Sequence, residues 1–449
     1  MDAGYWRDLV KPVVAGRKIV LTGYPLAGQT QRVAELGELG AAACFVIGEG
    51  VGAGPVPECD SVLLDVANAS FMDAMREGQR LLREVPPNVR AALDDFDPDG
   101  DALVYGSFLN ETPDVAGRPC LAWRRTEWIA LEDKVVIDEL WDAVGIERAS
   151  TRVVAVDDLD DTTGVVWAGD ARDGFHGGGD LTRWIRTPED AAAALPKMRA
   201  KCDRVRVMPF LEGIPCSIHG VVFPDYVAAL RPVEMVTLRR GSELFYAGAA
   251  TYWDPRADDR EAMRDVARRV GDELRRRVGF GGAFTVDGVM TEDGFRPTEL
   301  NPRLGAGLSQ IAFSMPELPI DLLHQVLMAG LALDYRPAEF ESAVLDNADA
   351  SRSGGTWKVV PESVPAYEDR KLVFDHGAWR WAVGDEHRDG TLVTGPSNIG
   401  GFIRVRFAPS RTPAGPSVGE RAAAFYAFCD RELGTSVGPL TAAIDVRPA

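Results

Sequence analysis

The spacing of apolar positions predicts strand, turn, helix and strand over residues 17–49. Lys18-Ile-Val-Leu-Thr22 is a short apolar run, Gly23 to Gly28 is turn chemistry, and residues 30–39 have the period of a helix. Residues 41–47 and 61–66 are further apolar runs. Strands alternating with helices imply a parallel sheet, so residues 1–130 read as a small, doubly wound, Rossmann-like α/β domain. Helical spacing returns over residues 131–144 and stops at Gly145. Short β-rich segments follow at 152–156, 163–168, 205–210 and 217–223. A long helix over 258–278 carries dense (i, i+4) charge pairs and ends at Gly279. Two strands joined by the tight turn Thr291-Glu-Asp-Gly294 come next, then a helix over 321–331. A linker opens at Tyr335, and strands with a last helix over 418–433 close the chain. The pattern divides into domains 1–130, 131–340 and 341–449, the middle one into 131–205 and 206–340.

Composition narrows the function classes. The 449 residues carry 49 Lys+Arg against 68 Asp+Glu, a net charge of -19, which argues against a nucleic-acid or membrane-surface role. That acidity lies before residue 351, and the last hundred residues are nearly neutral, as for a separate C-terminal unit. Six cysteines form no C-x-x-C pair and fit reduced thiols in a cytoplasmic protein. There is no secretory signal pattern and no 18-residue apolar stretch.

Several motifs fall short of their chemistry. Gly23-Tyr-Pro-Leu-Ala-Gly28-Gln29-Thr30 nearly matches a P-loop, but a neutral glutamine cannot bridge phosphates as lysine does, so it reads as a structural βα turn. Asp95-Phe-Asp97-Pro-Asp99-Gly100 imitates half an EF-hand loop. Gly106 stands where the bidentate glutamate belongs, which leaves an acidic, solvated turn. The five histidines make no H-x-x-x-H pair, and no G-x-S-x-G elbow is present.

The chemistry-bearing segment is Phe284-Thr-Val-Asp287-Gly-Val-Met-Thr-Glu-Asp-Gly294-Phe-Arg-Pro-Thr-Glu299-Leu-Asn301-Pro-Arg303. As a hairpin, its period of two puts Glu299 and Asn301 on one face and Asp287 roughly opposite them. Two carboxylates and an amide oxygen make a partly filled, all-oxygen shell suited to Mg²⁺, with Arg303 adding a planar fork for an anion. Gly305, Gly307 and Ser309 supply a loop that can approach a ligand closely.

This hairpin resembles the metal-binding core of the ATP-grasp ligases, whose last strand reads E-x-N-P-R. Other segments agree in order and distance over about residues 131–335. Glu132-Asp133-Lys134 is similar to the start of the first ATP-grasp subdomain, where such a lysine reaches the α-phosphate. Val205-Arg-Val-Met208-Pro-Phe210-Leu211-Glu212-Gly213 resembles the interdomain strand, whose backbone from Met208 to Leu211 would meet the adenine edge. Asp170-Ala-Arg172-Asp-Gly174-Phe-His176-Gly177-Gly178-Gly179 stands where the family keeps its flexible phosphate lid. The Trp-x-Gly-Asp-x-Arg lid, the Thr-Glu-Leu-Asn-Pro-Arg segment and the extra C-terminal domain are also similar to peptide ligases of peptide-antibiotic assembly, of the pheganomycin type.

The resemblance implies an ATP-grasp fold with a preceding Rossmann-like domain, and an ADP-forming carboxylate–amine ligase using ATP and Mg²⁺. Its expected substrates are a small-molecule carboxylate and an amine or peptide, with a homodimer as candidate assembly. The metal set is Asp287, Glu299 and Asn301. Nucleotide contacts are Lys134, Arg172, His176, Gly177, Gly178, Met208, Phe210, Leu211, Glu212 (a candidate ribose partner) and His219, with Arg303 and Arg231 as catalytic cations. Two departures stand out. The strand before the lid, Val165-Val-Trp167-Ala, lacks the second lysine of many members, leaving Arg172, Arg183, Arg186, Arg231 or His176 to meet phosphate charge. Pro215 stands where a ribose-binding carboxylate is expected. A small-molecule kinase on the same fold and a non-catalytic ATP-binding regulatory protein remain as alternatives. The loop Thr394-Gly-Pro-Ser-Asn-Ile-Gly400-Gly401 before Arg404 and Arg406 reads as a hairpin loop or a substrate contact.

Overall fold

Three sheets and a small ribbon organise the chain in a computed structural model that describes residues 4–66, 70–172, 174, 177, 179–313, 315–364 and 366–449. The first sheet is parallel, in the order β3-β2-β1-β4, from β1 (Lys18–Tyr24), β2 (Ala43–Gly48), β3 (Asp60–Leu63) and β4 (Leu103–Tyr105). Its apolar strands are covered by helices, as the alternating pattern requires. Gln29 is fully buried in the helix after β1 and donates its amide to Thr22 O, so the near-P-loop is a structural turn. Gly23 sits at φ +83, where a Cβ would lie 2.5 Å from Ser107, which explains the glycine. The loop read as a solvated acidic turn is corrected: Asp97 is fully buried, accepts from Ala102 N–H, and pairs with Arg118 at 2.9 Å.

A ribbon of β5 (Asp114–Val115) and β6 (Arg118–Pro119) leads to the next unit. The helix expected over 131–144 is broken. A helical turn at Thr126–Ile129 and a 3₁₀ turn at Ala130–Glu132 precede the helix Asp138–Ala143, and Lys134 lies in the turn between. Asp133 causes the break: its carboxylate accepts Val135 N–H at 3.2 Å, a local alternative to helical bonding.

The central sheet has nine strands in the order β15-β14-β11-β12-β13-β9-β8-β10-β7. Four form its outer part: β7 (Arg152–Ala155), β8 (Val165–Gly169), β9 (Thr182–Ile185) and β10 (Arg204–Pro209). Five form its inner part: β11 (Ile214–Val222), β12 (Val227–Arg240), β13 (Glu243–Ala250), β14 (Gly282–Thr291) and β15 (Gly294–Asn301). The two parts meet at the pair Glu243–Arg183. The helix Ala257–Val278 packs Met263, Val266, Ala267, Val270 and Leu274 on the inner strands and ends at Gly279 with φ 60.

The linker expected from Tyr335 is instead the helix Pro337–Ala350, which buries Phe340 and Val344. Beyond it lies the antiparallel sheet β16-β20-β19-β17-β18, from β16 (Gly355–Val360), β17 (Glu368–Asp375), β18 (Ala378–Trp381), β19 (Gly390–Ser397) and β20 (Gly400–Phe407). Its apolar face shares a core with Val236, Leu238, Phe245 and Ala247 of β12 and β13, and with the helix Gly419–Leu433. All six cysteines are free thiols. Among the described residues no helix is long and apolar enough to cross a membrane.

Candidate active site

The β14–β15 hairpin brings the three expected ligands together. Asp287 lies directly opposite Glu299, and Asn301 opposite Thr285. The register then slips, with Gly288 facing Pro297, so Thr298 is an extra residue and the strand bends there. Gly288 fits the bend because a Cβ would sit 2.4 Å from Arg296 O. Asn301 donates to Asp287 Oδ2 at 2.8 Å, and Ser217 of β11 donates to Asp287 Oδ1 at 2.5 Å. Burial, then the facing charge of Glu299, pushes the Asp287 carboxyl up to about 6, against the opposing pull of Ser217, Arg303 and Lys134. Such a half-buried acid pair favours positive charge beside it.

Two cations supply it. Lys134, itself 8% exposed, places its ammonium 2.8 Å from Glu299 Oε1. Arg303 donates Nη2–H to Asn301 Oδ1 at 2.6 Å and Nε–H to Glu132 Oε1 at 3.1 Å, and its guanidinium lies over the ring of Phe108 from the first unit. The same Glu132 oxygen lies 2.6 Å from Nη2 of Arg124, a buried guanidinium whose hydrogens are not aimed at any acceptor. Glu132 thus lies between the Arg303 and Arg124 guanidiniums and pairs with both. The sequence offered no signal for Arg124, whose partner comes from a different turn of the chain.

The remaining expected residues divide. Met208 lies buried one residue before the end of β10, followed after Pro209 by Phe210, Leu211 and Glu212 at the crossing between the two parts of the central sheet. Phe210 stacks on Trp184 with centroids 3.9 Å apart, while its N–H is taken by Gly164 O. Arg239 lies over both rings and pairs with Glu212. A cavity of about 410 Å³ borders Pro209 to Glu212, the hairpin turn 291–293 and Arg296. Where the lid is expected, Asp170 accepts Asp203 and Arg204 N–H groups, and Gly177 O accepts from Asp180 N–H. Arg172 reaches Asp203 and Ala200 O. His176 and Gly178 lie outside the described residues.

Two assignments do not hold as placed. Arg231 is fully buried and paired with Asp254 and Asp349, so β12 turns it into a structural ion network rather than toward the hairpin acids. His219 bonds Thr285 Oγ1 through Nδ1 and packs under Gly305 and Gly307, where a Cβ at Gly307 would lie 2.3 Å from Nε2. Burial holds its imidazole down to about 3, so it is a neutral support beneath the glycine loop. Of the other phosphate candidates, Arg183 bonds the carbonyls of Gly179, Asp180 and Thr182, and Arg186 pairs with Asp190.

No profile of a known protein family matches the chain. A phosphoribosylamine–glycine ligase of Streptomyces coelicolor is 29% identical over 166 residues, which is 35% of this chain and 39% of that protein's length. Among solved structures, the biotin carboxylase domain of the Hydrogenobacter thermophilus 2-oxoglutarate carboxylase, in complex with MgADP, ADP and bicarbonate, superposes with a TM-score of 0.54. It is 14% identical, over 88% of this chain and 86% of that one. Biotin carboxylase from Campylobacter jejuni, in an ATP complex, gives 0.54 at 12% identity over 95% and 93%. An N5-carboxyaminoimidazole ribonucleotide synthetase in complex with ADP gives 0.51 at 12% identity over 94% and 98%. The chain has the ATP-grasp fold.

Proposed function

We propose that the protein is an ATP-dependent, ADP-forming carboxylate–amine ligase acting through an acyl phosphate, with an amino acid or peptide as amine. The observation that carries this reading is the hairpin set Asp287, Glu299 and Asn301, flanked by Lys134 and Arg303. The donor set fits Mg²⁺: two facing carboxylates and an amide, hard oxygens in a buried place where Asp287 already resists its own charge. Mg²⁺ held there would neutralise the phosphate charge that otherwise repels an approaching carboxylate. The nucleotide complexes of the solved ATP-grasp proteins and the likeness to a phosphoribosylamine–glycine ligase support ATP, Mg²⁺ and ligation. The peptide acceptor, and a place in natural-product assembly, follow the similarity of the lid and Thr-Glu-Leu-Asn-Pro-Arg segments to peptide-antibiotic ligases.

In this reading Lys134 leaves Glu299 for a phosphate oxygen once another cation takes the carboxylate. The substrate carboxylate attacks the γ-phosphorus, ADP leaves, and an amine then displaces phosphate at the acyl carbon. Arg303 grips the acyl phosphate or the oxyanion with its fork, steadied by Glu132. The segment that begins at Asp170, the lid the resemblance implies, would close over the phosphates and keep water from the acyl phosphate. The test is ADP release screened over amino acids and short peptides offered in pairs. Release that requires both partners, with a new amide in the products, is expected. A stable phosphorylated compound formed without amine would make the enzyme a kinase.

A further inference from the structure

A strip of aromatic and cationic side chains lies on one face of the C-terminal sheet, where it meets the other two sheets. Alternation on β20 sends Ile403, Val405 and Phe407 into the core and puts Phe402, Arg404 and Arg406 on the opposite face. Trp357 of β16 stands opposite Arg404. Its ring lies 6.2 Å from Phe402, 6.1 Å from Phe71 of the first unit and 6.4 Å from Tyr246 of β13. Arg406 lies 4.7 Å over Phe313. Phe71, Phe313 and Tyr367 are 42%, 49% and 46% exposed, so this aromatic cluster opens to solvent instead of closing as core.

The charges are the informative part. In a chain this acidic, arginines usually find carboxylates, as Arg231, Arg206 and Arg264 do. Among the described residues, Arg404 and Arg406 have no ion pair within 4 Å, and Nε of Arg404 is buried without a hydrogen-bond partner. Burial and the neighbouring Arg406 both act against the charge of Arg404, with only Tyr367 and Asp369 acting for it. Two adjacent cations with an orphan donor are costly unless an anion completes them. The strip leads toward the hairpin site through Tyr246, whose ring is 6.4 Å from that of Trp357 and whose hydroxyl feels the charges of Asp287 and Arg303; the β19–β20 tip separately touches the first unit, where Asn398 donates to Glu49 O.

We propose that this strip is the acceptor subsite, taking an amine that also bears a carboxylate and an apolar or aromatic group, as an α-amino acid or the C-terminal residue of a short peptide does. Arg404 and Arg406 hold the carboxylate, Trp357 and Phe402 the apolar part, and the amine points past Tyr246 toward Arg303. The assignment rests on the ligase reading.

The test is calorimetric titration of the full chain with L-phenylalanine, glycyl-L-phenylalanine, their C-terminal amides and inorganic phosphate. The acids should bind at least about tenfold more tightly than the amides, on the scale of a lost charge-assisted hydrogen bond. Arg404→Gln with Arg406→Gln should weaken the acids by a similar factor while leaving ATP affinity within about twofold. Should the double variant fail to fold, exposed Arg406→Gln alone carries the test. No binding by wild type, equal binding of acid and amide, unaltered binding in the variants, or tighter binding of phosphate than of the acids each overturns the proposal. Acid binding that depends on Arg404, beside ADP release that no amine stimulates, leaves a carboxylate site and overturns the ligase reading instead.

Discussion

At the residue scale, the proposed function divides the work between the hairpin acids, which would hold metal charge, and Arg303, which would handle the reacting group. Glu299→Gln keeps the shape of the side chain but removes the charge that pairs with Lys134. ADP release should be abolished while circular dichroism stays that of the wild type; unchanged turnover would remove the metal assignment. Arg303→Lys keeps a charge but loses the fork that now spans Glu132 and Asn301. Electrostatic groups aimed at a transition state are worth about 3–4 kcal/mol, so turnover should fall roughly a hundredfold or more. ATP affinity, measured at equilibrium, should change only a few-fold. Equal losses in both would mean that Arg303 serves the nucleotide alone.

Elements differ in how openly the sequence announces them. The hairpin was legible because its chemistry and its period of two coincide on one face, and the 22-residue helix because its charge pairs and Gly279 mark it. β12 was hidden. It is buried on both faces over most of its length, so it shows no alternation, and its buried Arg231 reads as a phosphate cation until its partners Asp254 and Asp349 are seen. Lys134 lies in a turn and not in the expected helix, because the Asx turn at Asp133 unwinds it. Arg124, Ser217 and Tyr246 meet the site only through folding, and spacing along the chain cannot reveal that. Glu234 itself yields a prediction. It accepts from Ser417 Oγ and Val418 N–H at the start of the last helix, yet burial outweighs these bonds and pushes its carboxyl up to about 7. A raised carboxyl favours the fold when protonated, so its contribution declines as pH rises from about 4.5 through about 7, by up to about 3 kcal/mol. Melting temperatures of Glu234→Gln should therefore fall less steeply than those of wild type across that window. Parallel curves would deny Glu234 the role.

On the scale of the whole molecule, the C-terminal sheet is bound into the central one through a common core, with Leu238 and Phe245 packed among Ile403, Phe425 and Tyr426. Removing residues 351–449 would bare that apolar face of β12 and β13. The truncated chain is expected to bind a hydrophobic dye and lose its near-ultraviolet dichroism; a native-like monomer with sharp aromatic signals would show that the central sheet stands alone.

If metal takes Glu299 and phosphate takes Lys134 as proposed, the contact between those two side chains makes the arrival of metal and of nucleotide one event seen from two sides. A cation that claims Glu299 sets an ammonium free, and that ammonium is then available to a phosphate. A phosphate that draws Lys134 away leaves Glu299 bare and attractive to a cation. Each ligand thus removes the competitor of the other, so by linkage each must strengthen the other's binding by the same factor. Lys134→Met would remove that part of the thermodynamic link, so that nucleotide sharpens the response to Mg²⁺ less than in the wild type.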